Sequence, residues 1–204
     1  EKICQGIIER KIDVGWNCMT RVDKINPELL ALMKKAGCYE IGFGIESGSD
    51  RVLQFIKKAT TTELIKKGVK MTHEAGIDVR GFFMIGFPTE TREEIMQTIK
   101  FAKELDVDVA QFMVATPFPG TEMWEIAKAN GTISEDWNSF TFYAPDKMPF
   151  SSNLLSDKEL LALYKKAYKS YYLRPKFILK QMLKMRSFDD ITRYWLAAKG
   201  IVGW

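Results

Sequence analysis

Apolar residues along this chain keep two rhythms, alternate positions and every third or fourth position, and the rhythms take turns. Ile12, Val14, Trp16, Cys18 and Thr20 fall at alternate positions within Lys11 to Arg21, which predicts a strand. Asn26-Pro27-Glu28 then reads as a helix start, with an Asn cap and Pro in the first turn. Leu29, Leu32, Met33 and Ala36 share one helical face, and Gly37 suits the residue after the helix end. Tyr39 to Ile45 is the next strand. Thr60-Thr61-Thr62-Glu63 fits a capping box before a helix with Ile65, Val69 and Thr72 in register, closing at Gly76.

The order repeats. Val79 to Ile85 is apolar at nearly every position, the pattern of a strand buried on both faces. Thr91-Arg92-Glu93-Glu94 is a second capping box, followed by the stripe Ile95, Ile99, Ala102, Leu105. Val107 to Ala115 is a fourth strand, and a short helix runs to Asn130-Gly131. Four βα units predict parallel strands joined by right-handed crossovers. From Thr132 to Asn153 the aromatics Trp137, Phe140, Phe142, Tyr143 and Phe150 have no period, so an irregular connection is expected. Ser156-Asp157-Lys158-Glu159 opens a helix through Tyr172, stopped near Pro175, with helical sequence on to about Gly200. Residues 1–131 and 132–204 are the expected divisions.

At 204 residues, 46% hydrophobic and 27% charged, the chain is long enough for a globular core. Its longest apolar run, Ala110 to Pro119, is too short for a bilayer. Cys4, Cys18 and Cys38 lie 14 and 20 residues apart, with no CxxC pair, and a reducing cytoplasmic setting is the default expectation. The net charge of +4 is uneven. Lys158 to Arg186 holds nine Lys/Arg and one acid, so +8, which leaves −4 for the rest. The modest total disfavours nucleic acid as a partner. The tail's lysines suit a solvated helical extension, with an anionic substrate or weak membrane-surface contact near Tyr164, Tyr168, Tyr171 and Tyr172 as the alternative.

Candidate chemistry sits where two strands run into small-residue turns: Gly42 to Ser49, and Gly81 to Thr91. In parallel α/β proteins such turns, at the carboxyl ends of strands, bind ligands. Both stretches are expected on one working face. Glu46, directly before Ser47-Gly48-Ser49, offers a carboxylate for hydroxyls or an amine; equally, Glu46 or Ser49 could serve only as a helix cap. Gly86 permits close backbone approach, and Pro88 ends the strand. His73, late in its helix, suits compensation of the helix dipole. Nothing supports a zinc or non-haem iron site, and no P-loop or GxSxG occurs.

Taken in order, "VGWNCMTRVDKINPELLALMKKAGC", "GFGIESGSDRVLQFIKK", "GIDVRGFFMIGFPTET" and "ATPFPGTEMWEIA" resemble the second half of a radical S-adenosylmethionine domain, from Lys11 to about Gly131. The tail, with "YYLRPKFILKQML", is similar to the branch that carries an amino-terminal cobalamin-binding domain, whose enzymes include oxidoreductases, cyclases and methyltransferases. The resemblance implies an α/β fold: a partial TIM-like (β/α) barrel, the last four βα units of a six-unit barrel, with a helical C-terminal extension. It implies S-adenosylmethionine as cofactor, with Glu46 and Ser47 at the ribose and Lys58 at the methionine carboxylate, the alternative for Lys58 being a solvated lysine at a helix end. Met84, Gly86 and Pro88, with Thr116-Pro117-Phe118, match segments beside the adenine. Arg21 and Arg80 point to the same region, as carboxylate partners or as structural ion pairs.

The family's CxxxCxxC loop, which holds its [4Fe-4S] cluster, is absent from these residues. The chain therefore reads as part of a larger enzyme, with cluster ligands outside it and a cobalamin domain expected upstream. The implied function is a share of the pocket in which S-adenosylmethionine is cleaved to a 5′-deoxyadenosyl radical or supports cobalamin-assisted methyl transfer to a small or lipidic substrate; the chain alone is expected to be inactive. The alternatives are an RNA-modifying relative and a non-catalytic α/β binding module. Half a barrel exposes strand edges, so either a homodimer or coverage of an edge by the tail is expected.

Overall fold

The structure, a computed structural model, describes residues 1–141 and 148–184. Phe142, Tyr143 and the expected helical sequence beyond Lys184 lie outside the described residues. Helix α1 (Lys2–Glu9) precedes β1 (Trp16–Thr20), α2 (Pro27–Lys35), β2 (Cys38–Glu46), the short α3 (Asp50–Phe55), α4 (Thr62–Glu74), β3 (Asp78–Ile85), α5 (Arg92–Leu105), β4 (Val109–Val114) and α6 (Glu122–Asn130). The strands are ordered β1-β2-β3-β4 in one sheet, with β1–β2 and β2–β3 parallel. Among the described residues β1 and β4 remain its edges, so this is part of a TIM-like barrel and not a closed one.

Several expectations change. Strand β1 begins at Trp16, where pairing with Cys38 starts, and Ile12 and Val14 before it are exposed. Strand β3 is not buried on both faces: Val79, Gly81, Phe83 and Ile85 are buried, whereas Arg80, Phe82 and Met84 are half-buried. The connection after Gly131 is not wholly irregular, since β5 (Gly131–Ile133) pairs antiparallel with β6 (Phe150–Ser152).

The caps explain where helices start. Asn26 accepts from the Leu29 N–H at 2.7 Å. Thr91 and Glu94 exchange both bonds of a capping box, as do Ser156 and Glu159 ahead of α7 (Asp157–Tyr172). Helix α4 is capped by Thr61, one residue later than the box in the sequence suggests.

The chain divides into two compact units. The first, Glu1–Met84 with Lys100–Gln111, buries Ile41, Phe43, Val79 and Phe83 from its strands together with Leu30, Met33, Ile65 and Val69 from α2 and α4. Each such fully buried side chain contributes about 1.5–3 kcal/mol. His73, in the last turn of α4, has a partner the sequence did not reveal: Asp108, 3.0 Å away, which also accepts from the Val79 N–H at 2.9 Å. The second unit is Ile85–Ile99 with the described part of Phe112–Trp204. Its core includes Phe112, Leu160, Leu163, Tyr164, Ala167 and Tyr171. The tyrosines of α7 are thus largely core and not a surface patch: Tyr164 and Tyr171 are buried, and Tyr171 and Tyr172 meet Phe177 of α8 (Pro175–Lys184). No described helix is long and apolar enough to cross a membrane.

Candidate cofactor site

In the first unit the end of β2 is irregular. The register with β3 shifts between Gly44 and Glu46, a β-bulge, and Glu46 has a left-handed backbone, φ 66°. Bulges of this kind re-aim a side chain at a strand end. The Glu46 carboxylate meets the Lys58 ammonium at 2.7 Å, with the two side chains only 18% and 24% exposed. Gly44 lies beneath the pair. A Cβ there would come within 2.7 Å of the carboxylate and 2.8 Å of the ammonium, so a larger residue would push the tips of the pair aside. Glu46 is therefore not a helix cap. That task falls to Ser49, whose hydroxyl accepts from the Val52 N–H at 3.3 Å at the start of α3. Ser47 is buried, and its hydroxyl accepts from the Ser49 N–H at 3.1 Å, shaping the turn.

Lys58 follows α3 in a tight turn. Its N–H donates to the Leu53 carbonyl, and the Lys57 N–H to that of Gln54, both at 3.0 Å. Arg21, just after β1, donates to both carboxylate oxygens of Asp23 at 2.8 and 3.1 Å and to the Ala59 carbonyl at 3.4 Å. The bond from Arg21 holds the Asp23 carboxyl down at about 2. Arg80 is engaged elsewhere: it forms a two-point pair with Glu40 at 3.0 and 3.1 Å. Its strand partner is Gly42, four residues before Glu46, or about 13 Å back along β2 at roughly 3.3 Å per residue. Met84 shares with Arg80 the half-buried face of β3. The structure thus brings Glu46, Lys58 and Arg21 to neighbouring positions and leaves Arg80 in its own ion pair.

In the second unit the turn after β3 is built around Glu90, which the sequence alone did not single out. Its carboxylate, fully buried, accepts from the N–H groups of Gly86 at 2.6 Å and Phe87 at 3.2 Å, and its N–H returns to the Phe87 carbonyl at 2.9 Å. The available signal was an acid four residues after Gly86, just past the Phe87-Pro88 strand end. Gly86 is left-handed, φ 84°, and Pro88 is buried. After β4, the buried Thr116 hydroxyl donates toward the carbonyls of Val114 at 3.3 Å and Thr141 at 3.2 Å. Pro117 is buried, while Phe118 is exposed beside Phe140, 6.1 Å between ring centres.

Cys4 and Cys38 are buried and Cys18 half-buried. Burial pushes the Cys38 thiol up to about 12 and raises that of Cys18. Among the described residues no group of three His, Cys, Asp or Glu could hold a metal ion.

A parallel α/β sheet with a bulged, charged turn at the carboxyl end of one strand defines a ligand-binding (β/α) class. The chain belongs to the radical SAM superfamily, whose family model matches residues 2–102. It is 40% identical over 183 residues to an uncharacterized methyltransferase of Pyrococcus horikoshii, covering 89% of this chain and 39% of that protein. It is 26% identical over 218 residues to the anaerobic magnesium-protoporphyrin IX monomethyl ester cyclase of Rubrivivax gelatinosus, covering 95% of this chain and 39% of the cyclase. The chain thus spans about two fifths of each curated relative. In fold it resembles the radical S-adenosylmethionine methyltransferase TsrM of Kitasatospora setae, solved with cobalamin and a [4Fe-4S] cluster bound: TM-score 0.56, 24% identity, 63% of this chain and 27% of that one.

Proposed function

We propose that this chain furnishes part of the S-adenosylmethionine pocket of a radical SAM enzyme in the methyltransferase and cyclase group. The observation that carries the reading is the Glu46–Lys58 pair at the bulged end of β2, inside the span of the family match. The donor set fits the ligand. A half-buried carboxylate accepts from a ribose diol, and an ammonium 2.7 Å away suits the ligand's carboxylate. S-Adenosylmethionine bound there would supply a sulfonium whose carbon–sulfur bonds can be cleaved, for an adenosyl fragment or a methyl group. Glu46 orients the ribose, and Lys58 neutralises the carboxylate. Contact of the adenine with Met84 belongs to the same proposal and rests on the motif resemblance alone.

The kinship also implies a [4Fe-4S] cluster. The cysteines here do not fit one: Cys4, Cys18 and Cys38 lie 14 and 20 residues apart in the sequence, and among the described residues no group of three His, Cys, Asp or Glu could hold a metal ion. No step through a cluster is assigned to this chain. Cobalamin use is proposed from the likeness of fold to TsrM, which was solved with cobalamin bound.

Titration of the full chain with S-adenosylhomocysteine, which carries the same diol and carboxylate, tests the reading. Glu46→Gln is expected to weaken binding about tenfold or more, since a hydrogen bond to a charged group contributes roughly 1.5–3 kcal/mol. Unchanged affinity in both Glu46→Gln and Lys58→Gln, or no binding at all, would overturn it.

A further inference from the structure

Among the described residues five non-glycine positions have left-handed backbone, and three of them surround one ion pair: Glu46 (φ 66°), Lys57 (φ 55°) and Ala59 (φ 50°). Such backbone is unfavourable for a residue with a Cβ and persists only where its surroundings over-determine it. The surroundings here can be named. Two backbone bonds close the turn after α3, and the Lys58 ammonium is drawn to Glu46. A further restraint comes from a different part of the chain: Arg21, aimed by its two bonds to Asp23, reaches the Ala59 carbonyl. Arg21 itself makes no bond to Glu46 or Lys58; its Nε and one terminal nitrogen go to Asp23 and Ala59, while its side chain stays 45% exposed. Its influence on a ligand runs through the turn, and a fall in carboxylate preference without faster exchange at residues 57–59 would mean direct contact instead and overturn it.

We propose that Arg21 is a positioning residue for Lys58: braced by Asp23, it holds the Lys57–Ala59 turn in its left-handed form and so determines how strongly the site prefers a ligand that bears a carboxylate. The inference rests on the reading of Glu46 and Lys58 given above. It differs from a general stabilising role, because Arg21 bonds to the turn that carries Lys58 and not to Glu46.

Two probes separate these possibilities. S-Adenosylhomocysteine and 5′-methylthioadenosine share adenine, ribose and thioether, and only the first carries the amino-carboxylate arm. Both are titrated into the full chain and into Arg21→Ala and Asp23→Asn, with hydrogen–deuterium exchange followed at residues 57–59. In Arg21→Ala the preference for S-adenosylhomocysteine should fall at least fivefold while methylthioadenosine affinity stays within twofold. Exchange at Lys57–Ala59 should quicken at least fivefold with α4 unaffected, and Asp23→Asn should follow in the same direction to a smaller extent. An unchanged preference in both variants overturns the inference, whatever the exchange shows. Equal weakening toward both probes also overturns it, since that is loss of fold. If the unmodified chain binds neither probe, the reading of the site fails and this inference with it.

Discussion

Glu46 holds a side-chain-bearing residue in backbone that costs about 1–2 kcal/mol relative to the right-handed region. Its position in the strand-end turn, and Lys58 twelve residues on, were legible from the sequence. The strain was not, because nothing in Gly-Ile-Glu-Ser shows that a bulge will rotate Glu46 into left-handed geometry. A pair of substitutions isolates that strain. Glu46→Ala and Glu46→Gly both remove the carboxylate, but only glycine relieves the backbone, so the glycine variant is expected to be more stable by about 1 kcal/mol. Equal urea midpoints for the two would mean that the left-handed position stores nothing. The arginines teach the complementary lesson. A cation at Arg21 or Arg80 is evident in the sequence, yet its partner depends on geometry: Asp23 two residues away for one, Glu40 across a strand register for the other.

At the scale of elements, the caps and the βα order were legible because each rests on local chemistry. The one-sided burial of β3 was not, since the run Phe82-Phe83-Met84-Ile85 reads the same whether one face or two are covered. Edge protection was posed by the sequence as a choice between a dimer and the tail. Strand β4 is last in the sheet, and the Tyr168 hydroxyl of α7 donates to the Phe112 carbonyl at 3.0 Å while accepting from the Phe112 N–H at 3.2 Å. One phenol thus engages both backbone groups of an edge residue, the kind of pairing another strand would otherwise supply. Tyr168→Phe keeps the ring against Phe112, 5.3 Å between centres, and removes those bonds along with the hydroxyl's interaction with Tyr164. A loss of about 1–3 kcal/mol is expected by urea unfolding, together with self-association in sedimentation velocity. A variant as stable and as monodisperse as the parent would remove Tyr168 as the guard of that edge.

For the whole molecule the unequal charge, +8 between Lys158 and Arg186 against −4 elsewhere, says little about pH stability, because the charged residues described from Lys158 to Lys180 are all exposed or half-buried and solvent screens them. The buried neutral acids say more. Burial raises the Cys38 thiol to about 12 from a reference of 9.0, and it raises Cys18 and the Tyr168 phenol as well. Folded values above unfolded ones mean that both states are protonated below about pH 9, where the contribution of these groups is present in full. Above it the unfolded chain gives up protons first, so stability falls as pH climbs toward 12. The urea midpoint should therefore be level between pH 7 and 8.5 and decline between 9 and 11. Cys38→Ala should be less stable at neutral pH, because it opens a small cavity, yet lose less on going from pH 9 to 11. Tyr168→Phe should flatten the profile mainly above pH 10. If parent and both variants decline in parallel, the alkaline limb arises from the exposed lysines, and the buried acids have no part in it.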